Sequence, residues 1–157
     1  MADFNYAIEK VLVNEGGLVD DPQDNGGLTK YGLSQRAYPD LDICNLTVEQ
    51  AKKIYKRDYW DKIKGDDIIS NNIAYEIFDT AVNMGVRTAS KLAQTAVEAH
   101  PDGFIGKNTL EKLNSINKEL FLLRFKLAKI ARYVSLANKR PANRKFLRGW
   151  LNRVLGA

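Results

Sequence analysis

The sequence holds one cysteine, Cys44, and one histidine, His100. A single cysteine closes no internal disulfide, and neither residue is numerous enough for a structural zinc site. No Ser–His–Asp set is arranged around His100, and Cys44 stands in no nucleophile motif. No glycine-rich loop runs into Gly-Lys-Ser/Thr, so a nucleotide phosphate has no cradle. Long apolar runs are also missing; none approaches the ~20 residues of a membrane span. The start, MADFNYAIEK, lacks the basic head and apolar run of a secretory leader. The expectation is synthesis in the cytoplasm, with a separate route out if the substrate lies outside. These absences leave carboxylate chemistry as the main enzymatic option, with no metal and no cofactor.

Against these gaps, 157 residues that are 45% hydrophobic suffice for one self-supporting core. The net charge of +5 is uneven. From Lys118 onward eleven Lys/Arg face one acid, Glu119, whereas the first 117 residues are net acidic. A basic C-terminal third suits an anionic partner such as a nucleic acid, a membrane surface or an anionic envelope; a solvated helical face is the plain alternative.

Helical spacing dominates. Phe4, Ala7, Ile8, Val11 and Leu12 predict a helix over 3–14, with Asp3 as N-cap and Gly16-Gly17 as the stop near Glu15. The following GGLVDDPQDNGGLTKYG, through Gly32, reads as turns or a short irregular hairpin. Thr47 and Gln50 have capping-box spacing. Further helices are predicted from Asn72 to a break at Gly85, around Ala89–Ala96, over 108–116, along Leu120–Val134 and at Phe146–Val154. Period-two strands are nearly absent, and there is no linker, repeat or low-complexity tract. The fold class is mainly α, in a single compact domain.

Glu15 falls at the exit of the first helix, where the negative end of the helix dipole disfavours a carboxylate. Burial in a cleft would act in the same direction, keeping it protonated and able to donate to a glycosidic oxygen. An exposed helix-end glutamate is the alternative. Nine residues on, Asp24 could face it across a cleft and serve as the second carboxylate, or simply fill a turn. Asp79 and Asn83 share a helical face among apolar positions and need partners. A structural role is expected for Asp79, while Asn83 is equally suited to contacting substrate. Tyr59 and Trp60 offer flat faces for stacking on sugar rings, or for packing in a core.

Glu15-Gly16-Gly17-Leu18, Asp21-Pro22, Asp24, Gly26-Gly27, Thr29 and Tyr31-Gly32 resemble the opening signature of glycoside hydrolase family 108. The resemblance continues through Tyr59-Trp60-Asp61, Phe78-Asp79 and Ala81-Val82-Asn83-Met84-Gly85. Asp102-Gly103-Phe104-Ile105-Gly106 with Thr109-Leu110 looks like that family's peptidoglycan-binding region. Leu18 departs from the family, which often has Tyr there. Members are N-acetylmuramidases, among them bacteriolytic phage endolysins and small export-associated muramidases. The resemblance implies a lysozyme-like catalytic region over 1–100 and a helical, peptidoglycan-binding region over 101–157, packed as one unit. It implies cleavage of the β-1,4 bond between N-acetylmuramic acid and N-acetylglucosamine, with Glu15 as the acid. By a looser comparison with phage lysozymes, Asp24 and Thr29 position the water. Tyr31, Trp60 and Asn83 are the expected substrate contacts. Peptidoglycan is the expected partner, joined by anionic envelope at the basic C-terminus, with no nucleic acid and a monomeric state. A lytic transglycosylase and a wall-binding module without activity are the rival readings.

Overall fold

The computed structural model describes residues 1–15 and 28–156, with Asn14 and Glu15 described as backbone only. The stretch 16–27, which includes Asp24 and most of the expected irregular hairpin, lies outside the described residues. Among the described residues the fold is helical: α1 (Phe4–Glu15), α2 (Val48–Tyr55), α3 (Asn71–Met84), α4 (Val86–Ala96), α5 (Lys107–Ser115), α6 (Lys118–Lys139) and α7 (Arg144–Leu155). Two-residue strands, β1 (Thr29–Lys30) and β2 (Leu33–Ser34), form one antiparallel pair, Thr29 opposite Ser34 and Lys30 opposite Leu33. Tyr31 and Gly32 link them with φ of 52° and 77°. Positive φ at both central residues is the turn geometry that follows strand twist in a two-residue hairpin.

The caps explain where the helices begin. The Asp3 carboxylate accepts the Asn5 N–H at 2.8 Å, as the sequence predicts for an N-cap. Thr47 and Gln50 form the reciprocal capping box at the start of α2. Gly85, at φ 86°, ends α3 and opens α4. A feature without a sequence signal follows α2: Lys56–Trp60 continue as a π turn, closed by Asp61 N–H bonding Lys56 O at 2.8 Å. The wider turn sets the buried rings of Tyr55 and Trp60 five positions apart, instead of the three or four that share a face of an ordinary helix, and both face inward.

Trp60 is wholly buried against Phe4 and Phe78, with ring centroids 5.5 Å away in each case and edge-to-face planes. Its Nε1–H donates to Asp66 at 2.7 Å, so the buried polar atom is satisfied. Gly65 packs so tightly on the indole that an added Cβ would overlap the ring. A second anchor is Gln94, 1% exposed. Its amide donates to the Asp102 carboxylate at 2.8 Å and Phe104 O at 3.0 Å, and its oxygen accepts Gly103 N–H at 2.9 Å. The Asp102–Gly106 motif is thereby sewn to α4. Helix α6 packs on α3, α4 and α7, which places the C-terminal helices in the same compact domain as the N-terminal ones.

Candidate active site

Helices α1 and α3 start together and run alongside each other in the same direction. Asp3 N–H donates to the Asn71 side chain at 2.8 Å, the Tyr6 hydroxyl donates to Asn72 at 2.9 Å, and the Lys10 ammonium lies over the Tyr75 ring. This pairing carries the C-terminal end of α1 towards the later turns of α3. Glu15 is the last residue of α1, four after Val11 and seven after Ile8, both buried.

A groove of about 520 Å³ lies between the later turns of α3 and helices α6 and α7. Its α3 wall carries Glu76, Asp79 and Asn83; its α6/α7 wall carries Lys126, Lys129 and Arg153. A smaller hollow of about 230 Å³ shares Asn83, Met84 and Tyr133 with it and extends to Arg132 and Trp150. Lys129, 7% exposed, pairs with Glu76 at 3.0 Å. Burial pushes the Asp79 carboxyl above its ordinary range, against the opposing pull of Arg153 and Lys129. Arg153 sits 3.6 Å from Asp79, longer than the roughly 2.7–2.9 Å of a tight charge-assisted hydrogen bond. Thr80, on the same wall as Asp79, buries its hydroxyl with no hydrogen-bond partner among the described residues. Trp150 stacks on Tyr133 at 5.0 Å and on Phe146 at 6.0 Å along the groove's far end.

Of the residues singled out in the sequence, Asn83 lies in this groove, where its amide donates to Asp79 O at 2.7 Å and completes the last turn of α3. Asp79 lies there too, paired to Arg153. Thr29 and Tyr31 are on the hairpin, partly exposed and outside the groove's lining. The Tyr31 carbonyl accepts the Tyr55 hydroxyl at 2.9 Å, which ties the hairpin to α2. Trp60 requires a correction: an indole with no exposed face and with its N–H bonded to Asp66 offers nothing to a sugar ring. It holds the core, and Trp150 is the groove's tryptophan.

The chain matches the family model described as "Glycosyl hydrolase 108" over residues 8–85. It matches the model described as "Predicted Peptidoglycan domain" over residues 81–155. The chain belongs to the glycosyl hydrolase 108 family. A solved structure described as "Structure of Brucella abortus SagA" superposes with a TM-score of 0.79 at 29% identity, covering 96% of this chain and 88% of that one. No curated protein sequence matches it. The protein is thus a glycoside hydrolase acting on peptidoglycan. The two matches meet on the last turns of α3, the helix that forms one wall of the groove.

Lys126, Lys129, Tyr133, Trp150 and Arg153 were not legible as site residues. In the sequence they dissolve into a basic face and an apolar stripe. The available signal was pairwise: Trp150 and Arg153 are three apart, hence on one face of α7, and the acids of α3 need cations from another element.

Proposed function

We propose that this glycosyl hydrolase 108 chain is an N-acetylmuramidase that hydrolyses the β-1,4 bond between N-acetylmuramic acid and N-acetylglucosamine, with Glu15 as its general acid. The observation that carries this reading is the position of Glu15 as the last residue of α1, at the negative pole of the helix dipole. A helix C-terminus disfavours the charged carboxylate, which suits a group that must donate a proton. That acid donates its proton to the bridging oxygen, the C1–O bond breaks, and water adds to the sugar's anomeric carbon, releasing the proton that restores the acid. Asp24, with Thr29, is assigned the water or the developing positive charge. Tyr31 and Asn83 are assigned contacts to the glycan.

The basic C-terminal third supports a role in drawing a monomeric enzyme to anionic envelope. A phage endolysin released through a holin and an export-associated muramidase both accord with a wall substrate. In Glu15→Gln, which keeps the shape and removes the proton, release of reducing ends from purified peptidoglycan should fall by at least about a hundredfold while the fold is retained. Near wild-type release by a folded mutant would overturn the assignment.

A further inference from the structure

The glycan backbone of a wall polymer asks for hydroxyl and amide partners and flat apolar faces. The groove supplies these with Asn83, Tyr133 and Trp150. It supplies something more: three cations on one wall, opposed to two carboxyl groups on the other. The internal pairs leave this arrangement unbalanced. Lys129 is committed to Glu76 at 3.0 Å. Arg153 meets Asp79 only at 3.6 Å and is about half exposed, so its guanidinium keeps donors to spare. Lys126 is exposed on the groove lining and has no ion pair among the described residues.

We propose that this wall binds the peptide stem of peptidoglycan, with Lys126 and Arg153 taking a stem carboxylate and the α3 wall facing the stem's amine and amides. The inference rests on peptidoglycan being the substrate and deepens that reading by naming which part of it is gripped. A stem peptide carries carboxylates together with an amine, so it matches walls of opposite sign. A wall polyphosphate carries one sign, and Glu76 and Asp79 would repel it from the facing side. The larger hollow adjoins the one at Trp150, sharing Asn83, Met84 and Tyr133 with it. One consequence is a preference for strands that bear peptides over bare glycan.

The test is calorimetric titration of the Glu15→Gln protein with the tetrapeptide released from purified peptidoglycan by an amidase. Saturable binding is expected. Lys126→Glu, a surface change, should weaken it about tenfold. Lys145→Glu, at an exposed α7 position outside the groove, should leave it unchanged. Absence of tetrapeptide binding, or equal affinity in Lys126→Glu, would overturn the proposal. So would an equal loss in Lys145→Glu, which marks diffuse attraction, or binding of glycerol-phosphate oligomers that the tetrapeptide does not displace. Binding is read in a protein lacking the proposed acid. A Glu15→Gln variant that still cuts glycan would therefore sink the catalytic assignment and leave this result standing.

Discussion

The two tryptophans of this chain do opposite jobs, and their surroundings show why. Trp60 is enclosed edge-on by Phe4 and Phe78, backed by Gly65, and its one polar atom is matched to Asp66. Trp150 is stacked nearly flat on Tyr133 and Phe146 and remains partly open at the groove. Edge-to-face enclosure uses both faces of an indole for the core. A partly exposed indole at a groove keeps surface that a fully enclosed one does not. Carboxyl groups beside Trp60 and at the groove also respond to their settings in opposite directions. Asp66 is held below the usual carboxylate range by the Trp60 N–H and the Lys56 ammonium, whereas burial lifts Asp79 above it.

The largest effect expected from breaking this contrast is on stability. Trp60→Ala empties the centre of the aromatic cluster and should cost about 3–5 kcal/mol, read from denaturant unfolding monitored by circular dichroism. A loss below about 1 kcal/mol would show that the indole is not the core element described here. Trp150→Ala should do the reverse. It should leave the unfolding midpoint close to wild type and raise KM on peptidoglycan by roughly two- to tenfold, the range that 0.5–1.5 kcal/mol of ring contact provides. An unchanged KM would remove Trp150 from the substrate's path.

The smallest effect concerns Asp79. A carboxyl whose folded-state pKa is raised binds its proton more tightly in the native than in the unfolded chain. Its contribution to stability therefore falls as pH rises from the ordinary carboxylate range through the raised value. Asp79→Asn escapes this loss, so its stability relative to wild type should climb with pH across that window, at no more than about 1.4 kcal/mol per pH unit. Asp66 acts with the other sign: its contribution is present above the unfolded value and is lost as pH falls. Paired unfolding curves of wild type and Asp79→Asn, begun at the ordinary Asp pKa of about 4 and carried upward in pH, check the direction. A difference independent of pH would contradict it.

Helices were legible because their signals are local. The Asp3 cap, the Thr47–Gln50 box and the Gly85 stop each need only neighbours in sequence, whereas the Leu120–Val134 stripe found helix α6 but not its buried face: Leu120, Leu123, Leu127 and Val134 are exposed, and Phe121, Phe125 and Tyr133 are buried. The π turn at 56–60 was not legible, because its cause is tertiary: an added residue per turn is tolerated where it seats Trp60 beneath Phe4 and Phe78. The same limit governed the site. Glu15 stood out by combining a helix end with a family signature. Trp60 was misplaced because a ring's exposure is decided by what packs on it, and nothing in Tyr59-Trp60-Asp61 announces Asp66 or Gly65 as its partners. The groove's basic wall was invisible for a related reason. Lys129 and Arg153 acquire meaning only when α6 and α7 close on the acids of α3. Gln94 and the Asp102–Gly106 loop gave a milder lesson. That motif pointed to wall binding, and its polar atoms are used first to fix the loop to α4.

The central claim is that the carboxyl at the exit of α1 donates the proton that breaks the glycan. Mass analysis of the products formed from purified peptidoglycan by wild type and by Glu15→Gln, side by side at equal folded concentration, tests it most directly. The account predicts wild-type fragments that carry an added water and end in reducing N-acetylmuramic acid, with almost none from the mutant. The same fragments from both proteins, or anhydro sugars from the wild type, would contradict it.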